Sequence, residues 1–448
     1  MDGKLQNPEQ ILKKYIQKRI NNNKQQIYGE KNVTLSPFIS KLYDIFDCKF
    51  IFVTRDGRDV VSSLMNWHTQ KYGNIYRDCK HPDTLSPEAI KNLKKNPLKN
   101  DTCDYSRPRP QKDEDIYSEW ENLKRYEMSS YYWSKINETC MAELDKIPKN
   151  AWKRINYSTV KPKDIEDLFS FLGLEGYNNN LVSKLLNKKI NSLKDRNQPK
   201  GKFPYMVDWN SEIRTKFEKI AYNTMVKLNY YNDCAIRWRP PNYGKYTITK
   251  RNFVTWYQWM YKSRLKMHTD FFNWVNDLEK NGENIETLAD FGCGIGEGYC
   301  DHFKDKCYYG IDMSNTSINW AKNNRTNDKH KYICEDFTKV QLPHKADIVF
   351  SSGTLDNCYD VNTVIKNMVE NTNKYIYITF FEGWFPNLDY HNYRWIEKQN
   401  CYASFLSPIE TRKILENLNC EIIKIDSTET QADRKDIPYE TLVIAKLK

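Results

Sequence analysis

The run Asp290-Phe291-Gly292-Cys293-Gly294-Ile295-Gly296-Glu297-Gly298 follows the apolar pair Leu288-Ala289 and decides how the second half of the chain is read. Glycines let a backbone turn tightly and approach a ligand, so a strand ending in this run predicts a nucleoside-binding loop. A second strand-like run, residues 307–311, ends at an acidic residue, Asp312. A dinucleotide would call for a longer G-x-G-x-x-G pattern with its pyrophosphate at a helix N-terminus. Glu297 stands at that early helix position and opposes a pyrophosphate. A cofactor with an uncharged linker and an ammonium group fits better.

Working outward, residues 288–291, 308–311, 331–334, 346–351 and 375–380 read as five strands, with 420–426 and 440–445 closing the sheet. The intervening residues predict helices, one beginning at 298–303. This is α/β, a doubly wound open sheet with its binding crevice at the carboxyl ends of the strands. Residues 253–275 form an aromatic helical stretch that reads as a cap. The proline- and glycine-containing stretch 237–249 marks the boundary. The expected division is 1–236, then 237–284 as linker and helical cap, then 285–448.

The first half reads as a second α/β domain. Residues 9–20 and 38–46 predict helices and 49–54 a strand. Arg55-Asp56-Gly57-Arg58-Asp59 then turns the chain into a helix carrying Val60, Val61, Leu64 and Trp67. Residues 74–115 are rich in Lys, Asn, Asp and Pro and read as a long insertion. A long aromatic helix is expected at 117–144, a strand at 150–156, a capped helix at 162–172 ending at Gly173, and an amphipathic helix at 211–228. Arg55 at a strand end and Ser63 on the next helix can point at one phosphate, as fork donor and hydroxyl donor. The same residues also suit a plain charged turn.

A chain of 448 residues, 39% hydrophobic and 14% aromatic, can bury two cores. Its 69 Lys and Arg against 58 Asp and Glu give +11, which suits anionic ligands and equally a solvated surface. No arginine-rich block or zinc-finger spacing signals nucleic acid. The polar first 24 residues do not read as a secretory leader, and no run of about 18 apolar residues predicts a membrane span. Cys293, Cys300 and Cys307 recur every seven residues but straddle loop, helix and strand, a poor metal pattern. Scattered cysteines predict reduced thiols in a cytoplasmic protein.

From about residue 285 to 448 the arrangement resembles the class I S-adenosylmethionine-dependent methyltransferases. The resemblance implies a Rossmann-like seven-stranded sheet, with Gly292, Gly294 and Gly296 holding the methionine part of the cofactor. It implies Asp290 at the ammonium group, Asp312 on the ribose hydroxyls, Asp336 on the adenine amino group, and Met313 or Phe337 against the ring. Ser351 follows the fourth strand, where that family lines the cofactor and acceptor cleft. Candidate bases for an oxygen acceptor are His391, Asp356 and Glu382, with histidine favoured by intrinsic pKa. Arg394 could hold an anionic acceptor. Trp256, Trp259, Tyr261 and His268 could close the cleft or simply pack.

Residues 28–232 resemble a sulfotransferase using 3'-phosphoadenosine 5'-phosphosulfate. Arg55 and Ser63 match the pair gripping the 3'-phosphate. Gly29-Glu30-Lys31 resembles an element found before the strand that leads to Arg55. Arg154-Ile155-Asn156-Tyr157 resembles the later Arg-Tyr-Glu strand with Asn156 and Tyr157 displaced, and Phe169-Ser170-Phe171-Leu172-Gly173 matches the common Phe-Leu-Gly helix end. The phosphosulfate loop that would supply donors at the transferring group is missing before Glu30, which reads as a shortened or repurposed domain. An incomplete sheet edge there could be covered in a homo-oligomer.

The expected activity is methyl transfer to a small-molecule or carbohydrate-like acceptor, at oxygen. The alternatives are a bifunctional enzyme that sulfates and methylates one acceptor, using adenosine 3',5'-bisphosphate's parent cofactor, and a non-catalytic scaffold.

Overall fold

The computed structural model describes residues 8–22, 27–67, 107–187, 209–231, 237–240, 243, 253–263, 265–325, 327–380, 388–396, 400–429 and 439–448. The chain forms two compact units. One is Met1–Lys200 with Ile213–Asn232, and the other is Gly201–Glu212 with Asp233–Lys448. The main break falls between residues 232 and 233, and the short segment 201–212 groups with the second unit.

In the first unit, helices α1 (Pro8–Asn21) and α2 (Ile39–Phe46) precede strand β1 (Phe50–Thr54), helix α3 (Gly57–Trp67) and helix α4 (Arg125–Leu144). Strand β2 (Trp152–Asn156) pairs parallel with β1, from Phe50 opposite Trp152 to Thr54 opposite Asn156. Helices α5 (Pro162–Leu172) and α6 (Asn179–Leu186) follow, and α7 (Ser211–Lys227) returns to this unit from Ile213 onward. The expected helix at 117–144 starts late. Residues Asp115–Tyr117 and Trp120–Asn122 make 3-10 turns, and α4 begins only where the Glu127 carboxylate accepts the Lys124 N–H at 3.0 Å. Helix α5 has the expected limits because both ends are chemically marked. Asp164 accepts the Lys161 N–H at 2.7 Å, and Gly173 closes the helix at φ 71°. The expected insertion at 74–115 falls mostly outside the described residues.

In the second unit, the expected aromatic stretch is two helices, α8 (Phe253–Ser263) and α9 (Leu265–Lys280). Strands β3 (Thr287–Phe291), β4 (Cys307–Asp312), β5 (His330–Cys334), β6 (Ala346–Ser352) and β7 (Thr372–Phe380) are mutually parallel. Strand β11 (Tyr439–Leu447) is antiparallel to β7 and to β10 (Cys420–Glu429). The order is β10-β11-β7-β6-β3-β4-β5, a seven-stranded mixed sheet. Chain order reverses between β3 and β6, which makes their carboxyl ends the topological switch point. Helices α10 (Tyr299–His302), α11 (Asn315–Asn324), α12 (Val361–Glu370) and α13 (Pro408–Asn417) connect the strands. An antiparallel hairpin, β8 (Asn392–Ile396) with β9 (Cys401–Phe405), was not foreseen from sequence.

Helix α9 is core rather than cover. Phe271 is fully buried, 4.4 Å from the Phe350 ring of β6 and 4.8 Å from the Tyr377 ring of β7. Trp274 lies 5.0 Å from Tyr377. Only α8 keeps a large exposed aromatic, Trp259 at 64%. Phe271→Ala should therefore destabilise the unit by about 3–5 kcal/mol, while Trp259→Ala should stay within about 0.5 kcal/mol. Denaturant unfolding of the two variants checks this contrast.

Candidate functional site

Strand β3 delivers Asp290 to the switch point and ends in the glycine run. The loop is pinned at its base, where the Gly292 and Cys293 N–H groups both donate to the Ile311 carbonyl, at 2.8 and 3.0 Å. Two glycines are required sterically. Gly292 has φ 100°, and a Cβ there would meet the Thr354 hydroxyl at 2.0 Å. Gly294 has φ 54°, and a Cβ there would meet the Tyr257 ring of α8 at 2.3 Å. Side chains from the turn after β6 and from α8 thus lie directly on the loop backbone. Gly296 also takes a positive φ, 71°.

At the end of β4, one Asp312 oxygen accepts the Gly294 N–H at 2.9 Å and the other accepts the Ser314 N–H at 2.7 Å. The carboxylate is half-buried. Burial raises its pKa, and the backbone donors of Ser314, Gly294 and Met313 partly offset that. Asp290 is almost wholly buried and accepts the Tyr308 hydroxyl at 2.7 Å. Burial pushes its pKa up to about 7; the Tyr308 bond lowers it and neighbouring Asp312 adds to the rise. Among the described residues neither carboxylate has an ion pair. A pair of under-neutralised carboxylates beside a bare backbone loop favours a cationic ligand and disfavours an anionic one. Helix α10 after the loop is a single turn, too short to offer a pyrophosphate a helix dipole.

Other expected contacts are placed differently. Ser351 is fully buried and donates to the Phe291 carbonyl at 2.8 Å, so it braces β6 against β3. Strand alternation instead leaves the next residue, Ser352, half-buried at the strand end. Asp336 is buried with its oxygens engaged. They accept the Thr338 N–H at 3.0 Å, the Thr338 hydroxyl at 2.8 Å and the Tyr359 hydroxyl at 3.1 Å, and pair with the Arg239 guanidinium at 3.1 Å. That set leaves little capacity for an adenine amino group. Phe337 is buried 6.1 Å from the Phe291 ring, while Met313 is half-exposed beside Asp312.

His391 is fully buried at the start of β8. Its Nδ1 accepts the Ser407 N–H at 2.9 Å, which puts the ring proton on Nε2. Burial lowers its pKa, with Glu410 and Asp360 acting against that. With its one lone pair committed to the backbone, the ring has none left for an acceptor proton. Its carbonyl accepts from the Ser211 N–H, and Glu410 binds the His391 N–H and the Ser211 hydroxyl. The histidine favoured as base from sequence is thus built into a structural knot. Asp356 is buried in the turn after β6, Arg394 lies over the Phe405 ring across the hairpin, and Glu382 falls outside the described residues.

In the first unit, Arg55 follows β1, 39% exposed along its side chain. Its guanidinium lies 5.6 Å over the Tyr157 ring and 3.8 Å from Asp59. Ser63 is half-buried on α3.

Sequence reasoning missed Tyr257, Tyr308 and Arg239 as site residues, while Thr354 lies in the stretch 351–355 read as lining the cleft. Only Tyr257 left a signal, its i, i+4 spacing with Tyr261, whose ring would be met at 2.1 Å by a Cβ on Gly298.

Residues 289–373 match the family model described as a methyltransferase domain. A malonyl-[acyl-carrier protein] O-methyltransferase of Priestia megaterium is 26% identical over 121 residues, a quarter (25%) of this chain. The chain spans 44% of the length of that curated relative. Among solved structures, a magnesium protoporphyrin IX methyltransferase from Synechocystis is 16% identical with a TM-score of 0.32, covering 50% of this chain and 97% of that one. An S-adenosylmethionine-dependent methyltransferase from Clostridium acetobutylicum is 12% identical with a TM-score of 0.33, covering 44% and 99%. The matched residues 289–373 lie in the second unit and run from β3 into the start of β7 of its seven-stranded mixed sheet. Among the described residues, no helix is long and apolar enough to cross a membrane.

Asp290 has a folded pKa of about 7 against an ordinary 3.8, so the folded state holds its proton longer than the unfolded state. Its contribution to stability is full below about pH 4 and is lost as pH rises to about 7. Asp290→Asn should therefore gain stability relative to the wild type across that window, by a few kcal/mol at most. Paired thermal melts from pH 4 to 8 read the difference; parallel curves would remove the shift.

Proposed function

We propose that the second unit binds S-adenosylmethionine at the glycine loop and transfers its methyl group to the oxygen of a small-molecule acceptor. The observation that carries the reading is the pair of carboxylates at the ends of neighbouring strands, Asp312 held by the Gly294 N–H and Asp290 by the Tyr308 hydroxyl, neither ion-paired among the described residues. S-adenosylmethionine, when bound, supplies an ammonium group for such a pair and a sulfonium methyl open to displacement. In this reading Gly292, Gly294 and Gly296 admit the methionine part. Asp290 takes the ammonium, and Asp312 takes the ribose hydroxyls on its remaining lone pairs. Met313 lines the adenine, with Phe337 behind it. Asp336 shapes the adenine wall through Thr338, Tyr359 and Arg239, and Ser351 fixes the strand beneath. His391 holds the hairpin in place instead of acting as base. The curated relative's name, an O-methyltransferase, agrees with oxygen as the attacked atom.

A second reading concerns the first unit. Arg55, presented at the end of β1 and stacked on Tyr157, keeps guanidinium donors for a phosphate, with Ser63 on the following helix. This supports nucleotide binding of the kind implied by the sulfotransferase resemblance, with adenosine 3',5'-bisphosphate as probe.

Calorimetry with S-adenosylhomocysteine tests the main reading. Asp312→Ala should cost about 1.5–3 kcal/mol of binding, and undiminished affinity would remove Asp312 from the site. Ionised Asp290 is the form that welcomes an ammonium group. Affinity should therefore tighten as pH rises through about 7, with net proton release, and Asp290→Asn should abolish that dependence. For the second reading, the bisphosphate should raise the unfolding temperature of the first unit, and Arg55→Ala should cancel the rise.

A further inference from the structure

A chain of hydroxyl groups leads from the carboxyl end of β6 to a buried imidazole. The Thr379 hydroxyl of β7 donates to the Ser352 oxygen of β6 at 3.1 Å. With that oxygen accepting, the Ser352 proton can turn onward to the Tyr299 hydroxyl at the start of α10, which the Ser352 side chain faces closely enough to favour its ionised form. The Tyr299 hydroxyl in turn lies in close hydrogen-bonding contact with His268 Nδ1 of α9. With the His268 ring proton on Nε2, every link donates in one direction, Thr379 to Ser352 to Tyr299 to His268, and the chain ends on the member with a basic lone pair. His268 is 5% exposed, and its ring stacks on Tyr261 at 4.2 Å with the planes 9° apart, which fixes the ring plane. The charged and titratable groups acting on Tyr299 are Asp290 of β3, Tyr261 of α8 and Tyr377 of β7. The outer end of the chain is the half-buried Ser352, two residues before Thr354, whose side chain lies against the Gly292 backbone.

We propose that Ser352, Tyr299 and His268 relay the acceptor's proton during methyl transfer, with Ser352 touching the acceptor and His268 as the final base. The proposal rests on the oxygen-methylation reading and supplies the base that His391 does not provide. As the acceptor oxygen bonds to the sulfonium methyl, its O–H bond breaks and the proton passes to Ser352. The Ser352 proton passes to Tyr299 and the Tyr299 proton to His268 Nδ1. The sulfonium becomes a neutral thioether, and its positive charge is carried away by the imidazolium, so atoms and charge balance. Tyr299 and His268 are positioning residues in this scheme, acting through Ser352, and Thr379 orients the serine.

The test uses the full chain, S-adenosylmethionine and two probe acceptors of similar shape at pH 7, phenol and 4-nitrophenol. The second ionises readily near neutral pH and needs no base. Calorimetry with S-adenosylhomocysteine comes first, and absence of binding overturns the cofactor reading together with the relay. Binding without wild-type transfer to phenol overturns the relay and leaves the cofactor reading standing. The expected result is that Tyr299→Phe and His268→Gln lower kcat for phenol roughly a hundredfold. Transfer to 4-nitrophenol and affinity for S-adenosylhomocysteine should stay within about threefold of wild type. Equal losses on both probes, or none on either, overturn the relay, since a merely structural role does not distinguish them. Ser352→Ala cuts the chain at its half-buried end and serves as the second variant should the buried changes misfold.

Discussion

The bond from the Gly294 N–H to the Asp312 carboxylate is the constraint on which the second unit's site depends. It ties the tip of the loop after β3 to the end of β4, while the Gly292 and Cys293 N–H groups tie its base to the same strand. The loop therefore does not need a long following helix to hold its shape, and α10 is a single turn. Fixing the loop this way also brings Asp312 close enough to Asp290 to raise its pKa. Two carboxylates held together in a poorly hydrated place store electrostatic repulsion, which a cationic ligand relieves.

Aromatic residues do the rest of the shaping, on two distinct levels. Below the sheet, Phe271 and Trp274 of α9 fill the space over β6 and β7. Above the loop, Tyr257 and Tyr261 of α8 lie on glycine backbone where no side chain would fit. One continuous aromatic stretch thus serves as core in its second helix and as cover in its first. The two helices differ because α9 packs across strands, whereas α8 meets a loop stripped of side chains.

Much of this was legible in the sequence. Strand positions in the second unit were readable because parallel buried strands are apolar runs, and the glycine run fixed which strand leads. Helix α5 was readable because proline, a capping aspartate and glycine mark both its ends. The β8–β9 hairpin was not, since Tyr393-Arg394-Trp395 lacks a short turn signal and its pairing is set by distant packing. Site roles were less legible than site positions. Nothing local told that Ser351 would face inward and Ser352 outward, a question of strand phase. Nor could spacing reveal that Arg239 and Tyr359 would occupy Asp336, or that a backbone N–H would claim the His391 lone pair.

The segment 201–212 belongs to the second unit although the chain then re-enters the first. Its Ser211 supplies an N–H to the His391 carbonyl and a hydroxyl to Glu410. The second unit is therefore not a cassette that a single cut releases. A fragment starting at the apparent linker would leave a buried carboxylate short of a donor and a carbonyl without its partner, each a desolvation cost with no repayment. Heredity feels the same constraint. A recombination break near residue 236 would move the sheet and its loop but strand the serine that secures its hairpin.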